Sequence, residues 1–119
     1  MVEFGISIDG FTPANAIADQ ARAAENGGVA TLWIATHLYL RDPVALAATA
    51  LAATTRIKIA LMAMSPYSIH PIYAAMAATT LAELHPGRVI LSLGVGAPGD
   101  LAAAGIETPR PLQMLEETI

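Results

Sequence analysis

Short runs of apolar residues alternate along the chain with longer segments of helical character. The apolar runs predict four β-strands, at 2–8, 31–35, 57–63 and 89–94. The segments that follow them predict helices at 12–28, 42–55 and 70–84, and the start of a fourth at 111–119. Each predicted helix has a proline at or near its start. Strands with few polar positions, each followed by a helix, are typical of a parallel sheet covered by helices, so the pattern predicts an α/β fold.

The strand–helix repeat leaves two architectures open, a doubly wound open sheet and a (β/α)8 barrel. A complete barrel needs roughly 250 residues, whereas this chain has 119 residues. A chain of this length would supply half of a barrel. We see no linker or second domain and therefore expect residues 1–119 to be one domain, incomplete by itself, with strands 1 to 4 of the barrel.

The composition indicates that the chain buries surface against something else. It is 55% apolar and 13% charged, with a net charge of −4, which is unusually apolar for so small a domain. Open barrel edges favour association, so a homo-oligomer is expected. The acidic balance without a basic cluster argues against nucleic acid, and no apolar run is long enough for a membrane span. The chain has no cysteine and no signal-peptide pattern, and a cytoplasmic location is expected.

Chemistry in both architectures belongs at the carboxyl ends of the strands. The polar residues of the connections at that edge are His37, Arg41, Ser65, Tyr67, Ser68 and His70. The opposite edge receives Arg56, His85 and Arg88, which we interpret as turn and stability residues. Asp42 and His70 precede helical prolines and are expected to cap their helices. Trp33 is expected to pack between strands and helices, and no group of acids and histidines has metal-site spacing.

The segment GVGAPG at 94–99 follows the fourth strand and fits the pattern G-x-G-x-x-G. A dinucleotide-binding fold requires a longer helix after this motif and an acidic residue at the end of the next strand. Here Gly105 and Pro109 end the next helix early. We therefore interpret the segment as a loop in which Gly94 and Gly96 let the backbone approach a flat ligand closely.

Three stretches taken together, LWIATHLYLRDP, MAMSPYSIHP and LAELHPGRVILSLGVG, resemble the luciferase-like flavin-dependent oxidoreductases, the family of the bacterial luciferase-like monooxygenases. They are most similar to its deazaflavin-dependent, methylene-tetrahydromethanopterin reductase-like branch. The resemblance implies a (β/α)8 TIM barrel, present here as an N-terminal half-barrel of four parallel strands. It further implies a small-molecule substrate, and coenzyme F-420 or FMN bound at the carboxyl ends of the strands.

The resemblance also implies roles for single residues. His37 matches a position near the flavin ring and is the candidate catalytic residue, whereas Thr36 stands where the family usually has an acid. The branch has a non-prolyl cis peptide at the end of strand 3, which corresponds here to Met62–Ala63 or the next bond. The candidate cofactor-binding residues are Met62, Ala63, Met64, Ser65, Tyr67, Gly94, Gly96 and Asp100.

Plainer roles stay open for several of these residues. The alternative for His37 is a hydrogen bond to a neighbouring backbone carbonyl, and for Ser65 a purely structural bond in the loop. Arg41 could contact an anionic cofactor tail, and the alternative is that it is a solvated arginine of the loop. At the level of function, the alternatives to an oxidoreductase are a non-catalytic half-barrel that self-associates or pairs with another chain, and an open-sheet ligand-binding protein.

Overall fold

The computed structural model describes residues 1–119. The strands are β1 (Gly5–Ile8), β2 (Thr31–Ala35), β3 (Lys58–Met64) and β4 (Val89–Leu93). The helices are α1 (Ile17–Asn26), α2 (Pro43–Ala53), α3 (Pro71–Leu84), α4 (Pro98–Ala103) and α5 (Pro111–Thr118). The predicted alternation of strands and helices is thus confirmed. None of the helices combines the length and the apolar character needed to cross a membrane.

The first strand and the first helix are both shorter than the sequence pattern predicted. Pairing between β1 and β2 begins only at Gly5, so residues 2–4 lie ahead of the strand. Pro13 has extended backbone angles (φ −58°, ψ 133°), and Ala14–Ala16 form one turn of 3-10 helix. The α-helix therefore begins at Ile17 and not at residue 12, because the proline directs the chain into the tighter turn first.

The four strands form one parallel sheet in the order β1-β2-β3-β4. A doubly wound sheet reverses its strand order near the middle, at the point where ligands bind. This sheet shows no such reversal, and its order is that of consecutive strands in a (β/α)8 barrel. The sheet positions all four strand-to-helix connections along one edge, the carboxyl edge.

The hydrophobic core lies between the sheet and the helices. Alternate strand residues on the helix side are fully buried, among them Leu32, Ile34, Ile59 and Leu61. The helices contribute Ile17 and Ala21 from α1, and Leu46, Ala50 and Leu51 from α2. Ala74 and Leu81 come from α3, and the small alanines of all three helices let the helices approach the sheet closely.

The opposite face of the sheet, here called the inner face, is only partly covered. Ser7, Trp33, Ala60 and Ile90 form one row of paired residues across it. Trp33 is half-buried and lies over the backbone of Gly5, where a Cβ would come within 2.8 Å of the indole Nε1. The expectation that Trp33 packs between strands and helices is therefore wrong. Its neighbours Leu32 and Ile34 take that side, and strand alternation turns Trp33 inward.

The two predicted helix caps are confirmed. The Asp42 carboxylate accepts a hydrogen bond from the N–H of Ala45 at 2.8 Å at the start of α2. His70 Nδ1 accepts from the N–H of Ile72 at 3.2 Å at the start of α3. Each cap is followed by a proline in the first helical position, which lacks the N–H that would otherwise need a partner.

The amino edge of the sheet is held by two charged residues. The Glu25 carboxylate accepts hydrogen bonds from the N–H groups of Thr55, Arg56 and Ile57, and these bonds, that of Ile57 first, lower its pKa to about 2. Arg88 donates to backbone carbonyls of Leu51, Thr54 and Ile57 and to the Thr54 hydroxyl. The interpretation of Arg88 as a stability residue is supported by these bonds, whereas Glu25 was not singled out from the sequence.

Candidate functional site

The candidate site lies along the carboxyl edge, where connections distant in sequence come together. Parallel strands all end at this edge, so each connection has its neighbours on adjacent strands. Hydrogen bonds join them in pairs: the β1 and β2 connections through Gly10 and His37, and the β3 and β4 connections through Ser65 and Val95. The edge is therefore a continuous surface built from four loops.

His37 is exposed at the start of the β2–α2 connection. Its Nδ1 accepts a hydrogen bond from the backbone N–H of Gly10 at 3.4 Å. Because Nδ1 accepts, the proton of the neutral ring is on Nε2, which is left as an N–H donor for a ligand. The backbone partner is thus an amide of the β1 connection, not the carbonyl considered from the sequence.

Gly10 links the first two connections through both its N–H and its carbonyl oxygen. Arg41 Nη1 donates to the Gly10 carbonyl oxygen at 3.3 Å, so Arg41 is tied to the protein as well as solvated. A Cβ at position 10 would lie 2.8 Å from the Cβ of Leu40, which excludes a side chain there. Sequence reasoning did not single out Gly10. The only signal was a glycine two residues after the strand, and such glycines are common in loops.

The end of β3 is irregular at the position that the resemblance implied. The peptide bond between Met62 and Ala63 is cis, and the pairing of β3 with β4 shifts register between Leu61 and Met64. The N–H of Thr36 donates to the Met62 carbonyl at 2.8 Å, which fixes this segment to the end of β2. The Met62 side chain is 36% exposed and follows the inner-face alternation.

Small residues surround Met62 at the ends of three strands. Ala35 is paired with Met62 across β2 and β3. Ala63 is half-buried, and a Cβ at Gly94 would lie only 3.0 Å from the Ala63 Cβ. The carboxyl ends of β2, β3 and β4 thus carry only small residues beside Met62, namely the buried Ala35 and the half-buried Ala63 and Gly94, and His37 lies on the connection that follows Ala35.

Ser65 links the β3 and β4 connections through hydrogen bonds of its side chain. It is 3% exposed; its Oγ donates to the Val95 carbonyl at 3.0 Å and accepts from the N–H of Tyr67 at 3.2 Å. The Ser65 carbonyl in turn accepts from the N–H groups of Ser68 and Ile69. The Oγ–H is thus used within the protein, in agreement with the structural alternative, and the cofactor contact of Ser65 stays a prediction.

Packing within the protein accounts for two further candidate cofactor residues, the buried Met64 and the exposed Gly96. Met64 is 2% exposed and belongs to the core. Gly96 has a φ of +86°, and a Cβ there would lie 2.8 Å from Leu101 Cδ1 and 3.1 Å from Ser65 Oγ. Backbone conformation and packing are therefore sufficient to require a glycine at this position, whatever approaches the loop from outside.

Two tyrosines at the carboxyl edge donate hydrogen bonds to the backbone of segments that follow β4. The Tyr67 hydroxyl donates to the Pro109 carbonyl, which holds the segment before α5 against the β3 connection. The Tyr39 hydroxyl donates to the Asp100 carbonyl at 3.5 Å. Asp100 is half-buried in the first turn of α4. Tyr39 was missed from the sequence, because a tyrosine in a loop carries no signal of its distant partner.

A crevice of about 290 Å³ opens between the β2 and β3 connections. Its lining includes His37, Leu40, Val44, Met64, Ser68 and Ile69. Thr36 also lines it, but the Thr36 hydroxyl is itself buried and has no hydrogen-bond partner, alone among the buried side-chain polar atoms. An unpaired buried hydroxyl costs roughly 1–3 kcal/mol. The carboxyl edge thus contains one buried hydroxyl that no protein group satisfies.

The chemical groups at this edge are suited to holding a neutral or anionic organic molecule. They comprise an imidazole N–H, a guanidinium group and small apolar residues. No three His, Cys, Asp or Glu side chains are grouped as metal ligands.

The chain is similar to known proteins over nearly its whole length. The protein-family model described as luciferase-like monooxygenase matches residues 2–119. A 5,10-methylenetetrahydromethanopterin reductase from Methanolobus tindarius is 32% identical over 116 residues, which are 98% of this chain and 36% of that protein. The corresponding reductase of Archaeoglobus fulgidus is 29% identical over 82% of this chain and 30% of its own length. The chain thus spans about a third of these relatives.

Two solved structures superpose with a TM-score of 0.83 each. One is the coenzyme F-420 dependent tetrahydromethanopterin reductase from Methanopyrus kandleri, with 28% identity over 92% of this chain and 31% of its own. The other is the oxygenating constituent of the 3,6-diketocamphane monooxygenase from Pseudomonas putida in complex with FMN, with 26% identity over 98% of this chain and 37% of its own. These matches confirm the luciferase-like half-barrel, and the chain belongs to the luciferase-like monooxygenase family.

Proposed function

We propose that the chain is part of an oxidoreductase that binds coenzyme F-420 or FMN at its carboxyl edge and acts on a small-molecule substrate. Family membership supports the class of reaction. The names of the two superposed structures support the pair of cofactors, and the reductase relatives favour coenzyme F-420. A single domain in the cytoplasm remains the expectation from the sequence.

The observation that carries the proposal is the set of small residues Ala35, Ala63 and Gly94 at the carboxyl ends of three neighbouring strands. A flavin or deazaflavin ring is flat, so it needs a surface without projecting side chains, with polar groups at its edge. The three small residues provide the first, with the exposed Met62 side chain beside them. His37 provides the second through Nε2–H. The residues of this chain therefore fit one side of such a ring.

Within this proposal His37 orients the cofactor. The Gly10 N–H holds Nδ1, so the imidazole cannot turn freely and Nε2–H has a fixed direction. That N–H would donate to an acceptor atom at the ring edge. The bound cofactor supplies hydride transfer, and FMN can in addition supply oxygen chemistry. The chain's own residues bind the ring, orient it and exclude water from one face.

A titration of the purified chain with coenzyme F-420 and with FMN, followed by cofactor fluorescence, tests the proposal. We expect saturable binding of one of the two. Ala63→Leu should weaken that binding at least about tenfold, because the larger side chain occupies the ring surface. Ala103→Leu, on the exposed side of α4, is the matched control and should bind as the unmodified chain does. A folded chain that binds neither cofactor contradicts the proposal for these residues.

A second candidate function is a half-barrel without chemistry of its own. The observation that favours it is the inner face, which four strands leave open on one side of the proposed site. Such a chain would take part in an assembly without binding a cofactor. Saturable cofactor binding that is lost in Ala63→Leu and kept in Ala103→Leu would exclude this candidate.

A further inference from the structure

The β1 connection contains a glycine whose two backbone polar groups are both bonded to the neighbouring connection. Next to it, the Asp9 carboxylate accepts a hydrogen bond from the N–H of Phe11 at 3.0 Å, within the β1 connection itself. The Gly10 N–H is instead bonded to His37 Nδ1 at 3.4 Å, and the Gly10 carbonyl oxygen accepts from Arg41 Nη1 at 3.3 Å. Two side chains of the β2 connection thus hold the same glycine.

A tight turn brings these two side chains to one place. The segment from His37 to Leu40 is a turn in which the N–H of Leu40 donates to the His37 carbonyl at 3.3 Å. Tyr39, the third residue of the turn, has a φ of +68°, in the left-handed region that residues other than glycine rarely adopt. The turn sets Leu40 against Gly10, where a Cβ would lie 2.8 Å from the Leu40 Cβ. Arg41 follows directly and reaches the Gly10 carbonyl.

The start of α2 holds the backbone of Arg41 in place. Asp42, the next residue, caps the helix by accepting from the N–H of Ala45 at 2.8 Å, and Pro43 in the first helical position is buried. The contact between the two connections therefore depends on the Arg41 side chain and not on movement of its backbone. A guanidinium group is planar and presents its N–H donors in fixed directions, which suits it to hold a carbonyl oxygen.

We propose that Arg41 is a positioning residue that acts through His37 and does not itself contact the bound molecule. By holding the Gly10 carbonyl, it keeps the Gly10 N–H on His37 Nδ1, so that Nε2–H stays directed at the ligand. Without Arg41, the glycine is free to change its backbone angles, because it has no side chain to restrict them. Its N–H then leaves Nδ1, and the ring proton exchanges between the two nitrogens. This inference rests on the proposed function of His37.

Nitrogen-15 NMR of the His37 ring, at a pH at which the ring is neutral, tests the proposal without a ligand. In the unmodified chain we expect a single tautomer, protonated at Nε2. In Arg41→Gln the ring should populate both tautomers, and the Gly10 N–H should exchange with solvent about fivefold faster, because it loses its partner. Arg22→Gln is the control and should change neither signal, since Arg22 bonds only to Asp19. Far-ultraviolet circular dichroism checks that both variants fold, and an unchanged His37 ring in Arg41→Gln overturns the proposal.

Fluorescence titration of single and double variants with coenzyme F-420 and with FMN separates an indirect role from a direct one. We expect Arg41→Gln to lower cofactor affinity about threefold. In the double variant with His37→Gln, the loss should be no larger than in His37→Gln alone, because Arg41 acts only through His37. Losses that add would show that Arg41 contacts the ligand itself, and would overturn the proposal. If the unmodified chain binds neither cofactor, the proposed function fails, and the NMR result alone decides the role of Arg41.

Discussion

The two edges of the sheet differ in how their polar groups are satisfied. At the amino edge, Glu25 and Arg88 each bond to several backbone groups. At the carboxyl edge, His37 keeps one ring nitrogen for a ligand, and the Thr36 hydroxyl is buried without a partner. The charged groups singled out at the amino edge are bonded to the backbone, whereas the carboxyl edge keeps a ring N–H and a hydroxyl that no protein group uses. The same division holds in complete barrels.

The strongest test of this contrast is Arg88→Ala. The variant leaves three backbone carbonyls and the Thr54 hydroxyl without their charged donor. We expect a loss of about 3 kcal/mol in the free energy of unfolding, measured by urea denaturation. Arg22→Ala is the control, since Arg22 makes only an exposed ion pair with Asp19, and such pairs contribute about 0–1 kcal/mol. Equal losses in both variants would remove the special role of the amino edge.

Two threonines allow a matched comparison of the edges. The Thr54 hydroxyl donates to the Ala50 carbonyl at 2.7 Å and accepts from Arg88 at 2.6 Å, whereas the Thr36 hydroxyl has no partner. We expect Thr54→Val to cost about 2 kcal/mol, and Thr36→Val to be neutral or stabilising by up to about 1 kcal/mol. Urea denaturation measures both. A substantial loss in Thr36→Val would mean that its hydroxyl is bonded after all.

His37→Gln tests the ligand side of the contrast. We expect cofactor affinity to fall about tenfold, a loss of about 1.4 kcal/mol in binding, with the free energy of unfolding nearly unchanged. His85→Gln, at the amino edge, is the control and should leave affinity as it is. The measurement is the fluorescence titration together with urea denaturation. If both variants bind equally well, His37 has no part in binding.

Glu25→Gln tests the amino edge through its pH dependence, because glutamine keeps one carbonyl oxygen as an acceptor for the same N–H groups but cannot ionise. The pKa of Glu25 is lowered from 4.5 to about 2 in the folded chain. The ionised carboxylate therefore contributes stability above pH 4.5 that is lost as the pH falls towards 2. Unfolding free energies measured across this range should fall less steeply in the variant than in the unmodified chain. Identical slopes would contradict the lowered pKa.

The sequence predicted the fold better than the contacts of the site. Apolar runs and helix-start prolines located every strand and each of the three long helices, since these signals are local. The resemblance located the cis bond at Met62–Ala63. The tie of Ser65 to Val95 and the bond of Gly10 to His37 join residues about thirty positions apart, and no local pattern contains them. Glu25 was missed for the same reason.

By itself, the sequence determined that this protein is a parallel α/β unit of four strands, because burial of apolar runs and capping of helices depend on residues close together in the chain. Tertiary structure alone decided which polar groups are satisfied. It turned Trp33 inward, buried Met64 in the core, and brought Glu25 to three backbone amides of another connection. The physical reason is that a hydrogen bond needs a donor and an acceptor within about 3 Å, and only the folded sheet sets those distances.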